Sequence, residues 1–300
     1  MQHLVCRAPQ QLQQPGSRWQ LATVRAACEW LQTRSLACVW RTLKRCGIRL
    51  KRGRDYVHSP DAHYLAKLAD IVAALEKARH AKGGVILVFL DEFSFYRQPT
   101  LARDWGVRGA ANQPLAQRSL QANTCGRVIA GLNAISGQTT ALLASKIGIH
   151  QMVTFWQALR AAYPQAETIY VVVDNWPLHY HPDVLAALEP QRTVWELKTP
   201  ASWPRQARAS AKRLGLPIQL LPLPTYASWC NPIEKLWRKL QQEVLHLHGY
   251  ADDWTKLKEK VQEFLDDLRE GSTEILRYVG LTAKSKLFGA LFAPKANPTG

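Results

Sequence analysis

The chain has 300 residues, of which 47% are hydrophobic, and its 39 Lys and Arg outnumber its 23 Asp and Glu to give a formal net charge of +16. That hydrophobic content is enough for a core, and the positive excess favours an anionic partner such as nucleic acid over a basic protein that binds no specific polyanion. No apolar run approaches the roughly 18 residues of a membrane span, and neither a signal-peptide core nor a Cys-x-x-Cys pair is present, so we expect a cytoplasmic protein with reduced cysteines and no membrane partner.

The N-terminal region predicts a small winged helix-turn-helix domain after a poorly ordered start. Residues 1–17 are rich in Gln and Pro, which favours disorder. A helix begins near Leu21, and after a short turn a second helix follows Ser35, a good N-cap, with apolar residues at helical spacing. The segment 48–57 then predicts a small hairpin that turns at Arg52-Gly53 and would form the wing.

Basic residues are concentrated in the same region. Residues 1–60 contain eleven Lys and Arg against Glu29 and Asp55, so the second helix and the wing offer side chains that would lie on DNA phosphates. An ordinary helical pair with solvated charges is the alternative that the pattern leaves open. The residues predicted to contact DNA are Arg41, Lys44, Arg45, Arg49, Lys51, Arg52 and Arg54.

Three apolar segments further along the chain each lead into an acidic residue. Val85–Leu90 is apolar on both faces, which is typical of a strand in the middle of a sheet, and the next acid should lie where this strand ends. Thr168–Val173 predicts a second such strand, and Ile218–Leu221 leads to an amphipathic helix. Carboxylates at two strand ends and a helix start can converge on divalent metal. The three acids are Asp91, Asp174 and Glu234.

Each acid also has a simpler interpretation. An aliphatic strand followed by Asp-Glu also holds Mg²⁺ in nucleotide-hydrolysing proteins, but the Gly-x-x-x-x-Gly-Lys-Ser/Thr loop that they require is missing from this chain. Asp174-Asn175 is compatible with ordinary turn chemistry. Glu234 falls at the N3 position of a helix with Asn231 as N-cap and Pro232 at N1, so it also fits a capping box.

Three sequence blocks resemble the signature of a known family. The blocks are Leu90-Asp91-Glu92, Val173-Asp174-Asn175-x-x-x-His179 and Leu223-Pro224-x-Tyr226-x-x-x-x-Asn231-Pro232-Ile233-Glu234-x-x-Trp237. They look like those of the bacterial insertion-sequence branch of mariner-like DDE transposases, and the third block is the most specific. The segment from Ser35 to Asp61 also resembles the family's second DNA-binding module and linker, so the resemblance covers most of the chain.

The resemblance implies an RNase H-like α/β fold, with a mixed central sheet flanked by helices, and cut-and-paste transposition. DNA would be cleaved at terminal inverted repeats and its 3′ ends joined to a TA target, with two Mg²⁺ or Mn²⁺ ions per active site. A homodimer on double-stranded DNA, associated with the bacterial nucleoid, is the expected assembly. Asn175, His179 and Asn231 would orient ligands or DNA, although a surface or packing role is equally open for His179. The catalytic metal ligands that the resemblance carries over are Asp91, Asp174 and Glu234.

The expected domain organisation places the DNA-binding module before the catalytic domain. We expect disorder at 1–17, the winged helix-turn-helix domain at 18–58, a linker helix at 59–84, the catalytic domain at 85–270 with an insertion at about 190–216, and a C-terminal tail at 271–300. The insertion is interpreted as solvated, with a second DNA contact as the alternative. The family usually carries two helix-turn-helix units and one is evident here, as it would be if the start were truncated. A decayed copy that only binds DNA and a nuclease of the same fold without strand transfer are the rival functions.

Overall fold

The computed structural model describes residues 1–51, 59–192, 195 and 199–282, and the chain divides into two compact units, Met1–Val57 and His58–Gly300. The helices of the first unit are α1 (Gln2–Val5), α2 (Leu21–Ala27) and α3 (Leu36–Arg45), with 3₁₀ turns at Pro9–Leu12 and Glu29–Leu31. The Ser35 hydroxyl accepts a hydrogen bond from the Cys38 backbone N–H at 3.3 Å, which confirms the predicted N-cap of α3. The buried residues of this unit's core are Val24, Cys28, Leu31 and Val39.

Residues 1–17, which the sequence predicts to be poorly ordered, instead carry α1 and a 3₁₀ turn. The side chains of Met1 and Leu4 pack against the core of the first unit. The Trp19 indole N–H donates to the carbonyl of Arg7 at 2.8 Å, which ties this segment to the chain just before α2. Apolar contacts and a hydrogen bond offset the entropy that ordering the segment costs, and Gln and Pro content alone did not reveal them.

The wing predicted at 48–57 falls largely on residues 52–58, which lie outside the described residues. Its described start, residues 48–51, forms neither helix nor strand. The helix-turn-helix part of the prediction therefore rests on α2 and α3, which the turn at Glu29–Leu31 and the cap at Ser35 separate.

The second unit is built on a five-stranded mixed sheet with the strand order β3-β2-β1-β4-β5. Its strands are β1 (Val85–Tyr96), β2 (Cys125–Asn133), β3 (Thr139–Ala144), β4 (Thr168–Val173) and β5 (Ile218–Pro222). Neighbours are antiparallel from β3 to β1 and parallel from β1 through β4 to β5. The mixed central sheet is the one that the sequence predicts, with β1 in the middle and β4 at its predicted bounds.

Helices cover both faces of this sheet, as strands that are apolar on both sides require. The helices are α4 (Tyr64–His80), α5 (Ile149–Ala162), α6 (Pro182–Leu185), α7 (Glu234–Leu240), α8 (Trp254–Asp267) and α9 (Thr273–Val279). In β1, Leu87 and Phe89 belong to the core shared with α4, α7, α8 and α9, whereas Val88 and Leu90 belong to the core shared with α5 and α6. Alternation along the strand therefore produces three layers. No helix in the described part of the chain is long and apolar enough to cross a membrane.

The end of β1 differs from the prediction because of pairing that is distant in sequence. The strand does not end at Leu90 but runs to Tyr96, since β2 keeps pairing with it up to Cys125. Its parallel pairing with β4 stops earlier, at Phe89. Asp91 therefore lies inside a strand, beyond the point where the parallel neighbour ends, so its side chain still reaches the rim of the parallel half.

Two segments predicted to lie outside the catalytic domain are packed into the core of the second unit. The predicted linker at 59–84 contains α4, which buries Leu68, Ile71 and Leu75 against the sheet. The predicted tail at 271–300 contains α9, and Ile275 and Val279 are buried in the same core. Residues 283–300 lie outside the described residues. An amphipathic pattern indicates a helix, but it does not indicate which surface the helix covers.

The predicted insertion at 190–216 is anchored to the unit rather than simply solvated. Its described residues form no helix or strand. The Arg208 backbone N–H donates to Oδ1 of Asp183 at 2.8 Å, and its guanidinium forms an ion pair with Oδ2 of that almost fully buried carboxylate. Trp203 packs against the core beneath α5 and α6. Arg208 therefore has a structural partner within the protein, because a buried carboxylate requires a positive charge.

Candidate active site

Asp91 is held in place by a tryptophan from a distant helix. Its Oδ2 atom accepts a hydrogen bond from the Trp237 indole N–H at 2.8 Å, and Trp237 lies on α7. Burial, and then the charge of Glu234, raise the pKa of Asp91 to about 7. The Trp237 ring is stacked on that of Phe93, at 5.3 Å between centroids. The sequence placed Trp237 in the third block and among the buried residues of a helix, but it did not indicate the contact with Asp91. The structure adds Trp237 to the residues of the site.

Asp174 follows β4 directly and makes two hydrogen bonds through one oxygen. Its Oδ1 atom accepts from the Trp176 backbone N–H at 2.9 Å and from Nε2 of His179 at 3.0 Å. Burial raises the pKa of Asp174, but the hydrogen bond and charge of His179 outweigh burial and hold the pKa below its usual value. The bond from the Trp176 N–H to Oδ1 is the turn contact that the sequence allowed for Asp174. The same carboxylate also lines a pocket, so the turn does not account for all of its contacts.

Glu234 begins α7, and the capping-box interpretation is not realised there. The Asn231 side chain does not cap the helix; its Nδ2 atom donates to the carbonyl of Leu90 at 3.0 Å. The Glu234 side chain instead faces the same pocket as Asp174. Burial, and then the charge of Asp174, raise the pKa of Glu234. The local sequence favoured a cap, but the contact with the end of β1 takes the asparagine away from it.

The three predicted acids therefore line one pocket of about 480 Å³. Asp91 comes from β1, Asp174 from the end of β4 and Glu234 from the start of α7. Among the pKa shifts, Glu234 acts on Asp91 and Asp174 acts on Glu234, so their charges are close enough to repel one another. The other residues lining the pocket are Asn175, Trp176, Leu223, Pro224, Thr225, Tyr226, Ala227, Ser228 and Asn231.

A second group of possible metal ligands partly overlaps the first. Oxygen or nitrogen atoms of Glu92, Asp174 and His179 all lie within 4.8 Å of one another. Nε2 of the fully buried His179 is 3.7 Å from Oε1 of Glu92, and burial is the main reason why the pKa of Glu92 is raised to about 7. Glu92 was missed as a site residue, although its place beside Asp91 in the first block was a usable signal.

Two observations favour the set containing Asp91 over the set containing Glu92. Consecutive strand residues point to opposite faces, so Asp91 and Glu92 face different layers, and Glu92 is absent from the lining of the pocket. His179 already engages Asp174 through Nε2, which is the atom closest to Glu92. Burial lowers the pKa of His179, but the charge of Glu92 and the bond to Asp174 outweigh it and raise the pKa. This environment fits a histidine that orients Asp174, and it excludes the surface alternative.

The two asparagines predicted beside the acids tie strand ends together. The Asn175 side chain donates from Nδ2 to the carbonyl of Leu223 at 3.1 Å, which joins the end of β4 to the exit of β5. Asn231 joins the start of α7 to the carbonyl of Leu90 in β1. Both amides therefore contact backbone, and through it they fix the spacing of the segments that carry the acids.

The predicted DNA contacts lie in the other unit and are exposed where they are described. The exposed members of the set are Arg41, Lys44, Arg45, Arg49 and Lys51, whereas Arg52 and Arg54 lie outside the described residues. Nζ of Lys44 lies 5.0 Å from the ring centroid of Trp40, which is itself 52% exposed. The second helix of the helix-turn-helix thus presents several basic side chains and an aromatic ring to solvent, which is compatible with the predicted role.

Comparisons with known proteins agree with this architecture. A profile of the family described as DDE superfamily endonuclease matches residues 86–258, which is more than half of the chain. The insertion element IS630 uncharacterized 39 kDa protein of Shigella sonnei is 23% identical over 230 residues, covering 76% of this chain and 57% of that protein. The chain thus matches little more than half the length of this curated relative.

Solved structures of a mariner transposase share the fold. The Mos1 mariner paired end complex with Mn has a TM-score of 0.57 at 15% identity, over 93% of this chain and 78% of that one. The Mos1 strand transfer complex has a TM-score of 0.54 at 15% identity, over 93% and 77% of the two chains. These matches confirm the predicted RNase H-like fold with a helical region before it. The profile match over residues 86–258 confirms the predicted family resemblance.

Proposed function

The chain belongs to the family of DDE superfamily endonucleases, and from this membership we propose that it is a metal-dependent DNA transposase. It cleaves DNA at terminal inverted repeats and joins the 3′ ends to a TA target. The observation that carries the proposal is the convergence of Asp91, Asp174 and Glu234 on one pocket. Glu234 raises the pKa of Asp91, and Asp174 raises the pKa of Glu234, because their negative charges repel one another. A bound cation would allow all three carboxylates to be ionised together.

The donor set fits Mg²⁺ or Mn²⁺, which favour oxygen ligands. Trp237 donates to Oδ2 of Asp91 and His179 donates to Oδ1 of Asp174. Because a carboxylate has about four lone-pair sites, each acid can still bind a metal ion. Asp91, Asp174 and Glu234 would hold two ions between them. Such a pair of ions supplies activation of a water or a 3′-hydroxyl and stabilisation of the leaving oxygen of a phosphodiester.

The surrounding residues of the chain keep the three acids in position. Trp237 fixes the orientation of Asp91, and His179 fixes that of Asp174 by donating from Nε2. Asn175 and Asn231 hold the strand ends and the start of α7 through backbone carbonyls. Rigid support of this kind matters because metal-dependent phosphoryl transfer depends on the placement of its ligands.

The proposed partner is double-stranded DNA, bound by the basic helix-turn-helix of the first unit. Five of the predicted DNA-contacting side chains are exposed in α3 and the residues that follow it. The Mos1 relatives were solved as a paired end complex and as a strand transfer complex. By analogy this chain works as a homodimer that holds two DNA ends, in association with the bacterial nucleoid.

The test uses the purified full-length chain, DNA ends taken from the sequence that flanks its coding region, and a supercoiled target plasmid in Mg²⁺. Cleaved ends together with products joined at TA are the expected result. Glu234→Gln should lose both reactions, because it removes the charge at the start of α7 while keeping the size and shape of the side chain. Glu259→Gln, an exposed glutamate of α8 outside the pocket, is the matched control and should retain them.

Three outcomes would contradict parts of the proposal. Unchanged cleavage by Glu234→Gln would remove this acid from the site and favour a structural role at the start of α7. Cleaved ends without joined products would indicate a nuclease of the same fold. Binding without any cleavage in Mg²⁺ or Mn²⁺ would indicate a decayed copy that only occupies DNA.

A further inference from the structure

Tyr226 combines an exposed aromatic side chain with a left-handed backbone conformation. The residue is 74% exposed although it lines the pocket that contains the three acids. Its backbone has φ of 55°, in the left-handed region that costs free energy for a residue with a bulky side chain. A strained backbone conformation therefore places an exposed aromatic side chain beside the three acids.

The strained conformation is held by contacts on both sides of the preceding residue. The Thr225 backbone N–H donates to Oδ2 of Asp61 at 2.9 Å, and its carbonyl accepts from the Ser59 hydroxyl at 2.6 Å. Asp61 is itself fixed by an ion pair with Lys67 at 2.8 Å, and both side chains are at least nine-tenths buried. Burial raises the pKa of Asp61, but the bonds from Lys67 and the backbone outweigh it and lower the pKa to about 2.

Ser59, Asp61 and Lys67 thus form a clip that ties the loop of Thr225 to the turn before α4, where Oδ1 of Asp61 also accepts from the His63 backbone N–H at 2.9 Å. Behind Tyr226, Ala227 is buried and its N–H donates to the carbonyl of Pro224 at 3.2 Å, which closes the turn. The ring is therefore carried by a turn that is fixed before and after it. A fixed exposed ring is suited to stacking because little conformational entropy is lost on binding.

The surroundings of the ring identify what would stack on it. Trp176, which is 36% exposed, also lines the pocket and meets the ring of His179 edge-on at 5.5 Å. Without a bound cation, the carboxylates in the same pocket repel an anionic ligand. A nucleobase is flat and neutral, so it can lie on the ring of Tyr226 without this repulsion. Aromatic side chains bind unpaired bases by stacking, with little dependence on sequence, whereas bases inside a duplex leave no face free.

We propose that Tyr226 is a stacking platform for an unpaired nucleobase of the DNA strand whose phosphodiester lies at the three acids. This inference rests on the proposed function, because it takes DNA as the substrate of the pocket. Tyr226 binds the base next to the reacting phosphate, and the clip on Thr225 keeps the ring at a constant distance from Asp174 and Glu234.

The experiment measures stacking without requiring cleavage. The full-length chain is titrated, in Ca²⁺ instead of Mg²⁺, into a duplex with a short 3′ single-stranded overhang that carries 2-aminopurine at its first unpaired position. Stacking on Tyr226 should quench the fluorescence, and Tyr226→Phe should retain the quenching. Tyr226→Asn should lose it, because asparagine accepts the left-handed conformation but has no ring. Its affinity for the overhang DNA should fall about tenfold, while its affinity for blunt duplex stays unchanged.

Matched variants separate this role from general effects. Tyr278→Asn removes a 41% exposed tyrosine of α9 that does not line the pocket, and it should leave quenching unchanged. Asp61→Asn should weaken quenching although the ring is still present, because the clip is lost. Absence of quenching with the unaltered chain, or equal quenching by Tyr226→Asn, would overturn the proposal.

The same variants distinguish a failure of this inference from a failure of the proposed function. If Glu234→Gln cleaves normally while quenching still depends on Tyr226, the catalytic assignment fails and the stacking platform stands. If Glu234→Gln abolishes cleavage while Tyr226→Asn behaves like the unaltered chain, the catalytic assignment stands and the stacking platform is wrong.

Discussion

The two units of the chain differ in how they are stabilised and in what they expose. The first unit has a small core of Val24, Cys28, Leu31 and Val39, and its predicted contacts are exposed basic side chains. The second unit has a core on each face of its sheet, and its candidate site is a pocket lined by carboxylates. On the proposed function, we expect affinity for DNA to depend mainly on surface charge in the first unit, and chemistry to depend on precise positions in the second.

This difference predicts that binding and catalysis can be lost independently. Attraction between charges acts over several ångströms and tolerates small displacements, so the first unit needs only to hold its basic side chains on one surface. Metal ligands must be placed within a fraction of an ångström, so the second unit needs a packed helical layer on each face of its sheet. The following predictions test that separation, from the largest expected effect to the smallest.

Asp174→Asn should remove cleavage and joining together while DNA binding persists. The amide is nearly isosteric, so the fold should be kept, but it is a poor Mg²⁺ ligand and both steps use the same ions. The loss should exceed the roughly 100-fold effect of removing an outer partner of a metal ligand. The measurement pairs a gel-shift titration with strand cleavage in Mg²⁺. Loss of binding with an intact fold would place residue 174 in DNA recognition. It would contradict the separation of binding in the first unit from catalysis in the second.

Binding should depend steeply on salt, because the first unit contributes mainly charge. With about six phosphate contacts, affinity should fall about a thousandfold between about 50 and 200 mM salt. Replacing Arg41, Lys44 and Arg45 with Gln should reduce the slope, whereas Asp174→Asn should leave it unchanged. The slope is measured from titrations of labelled duplex at several salt concentrations. A flat response in the unaltered chain would exclude a phosphate-led interface.

Leu31→Ala should unfold the first unit while the second remains folded. Leu31 is 1% exposed, and such a truncation costs about 2–5 kcal/mol, which is a large part of the stability of a unit with so few buried residues. The expected result is an early separate transition in calorimetry, with loss of DNA binding. Leu159→Ala, at an equally buried position in α5, is the matched control and should lower the main transition instead. A single shared transition in both variants would show that the units fold together.

The stability of the second unit should fall as pH rises, and Mg²⁺ should oppose that fall. The pKa values of Asp91 and Glu92 are raised to about 7, well above the unfolded values near 4. The folded state therefore binds more protons than the unfolded state in this window, so the stabilisation present below about pH 4 is lost as pH rises through about 7. Melting curves with and without Mg²⁺ should diverge most at the alkaline end.

The variant Asp91→Asn isolates the contribution of one carboxylate to this pH dependence. It should flatten the melting profile measured without Mg²⁺ and reduce the effect of added Mg²⁺. Asp266→Asn removes an exposed carboxylate of α8 outside the pocket and should change neither. Equal Mg²⁺ stabilisation of the unaltered chain at both ends of the pH range would contradict the assignment of these acids.

Ser35→Ala should have the smallest effect, and only on the first unit. It removes the hydroxyl that accepts from the Cys38 N–H, and loss of such a cap costs about 1 kcal/mol. DNA affinity should fall slightly, because the first turn of α3 would be less ordered in the free protein and ordering it on binding costs free energy. Ser35→Asn, which can still cap, should restore both stability and affinity. Unchanged stability in the alanine variant would show that the cap is not needed for this fold.

The candidate site was predictable to the extent that local sequence carried its signals. β4 has its predicted bounds, and the three acids lie at one pocket, because long apolar runs must be buried and a carboxylate must then reach a rim. Glu92 and Trp237 were not recognised as site residues, since their roles depend on His179 and Asp91, which are distant in sequence. The capping box at Glu234 was locally plausible, but it was displaced by the bond from Asn231 to Leu90.

By itself the sequence determined the mixed α/β architecture, the helix that begins after Ser35 and the three acids, because hydrophobic periodicity and residue chemistry are local properties. Only the tertiary structure decided that β1 continues to Tyr96, that α4 belongs to the core, and that Thr225 is clipped to Ser59 and Asp61. Strand pairing, the surface that a helix covers and hydrogen bonds between distant segments depend on which parts of the chain meet. That information lies in the packing of the whole domain, since no single segment contains both partners.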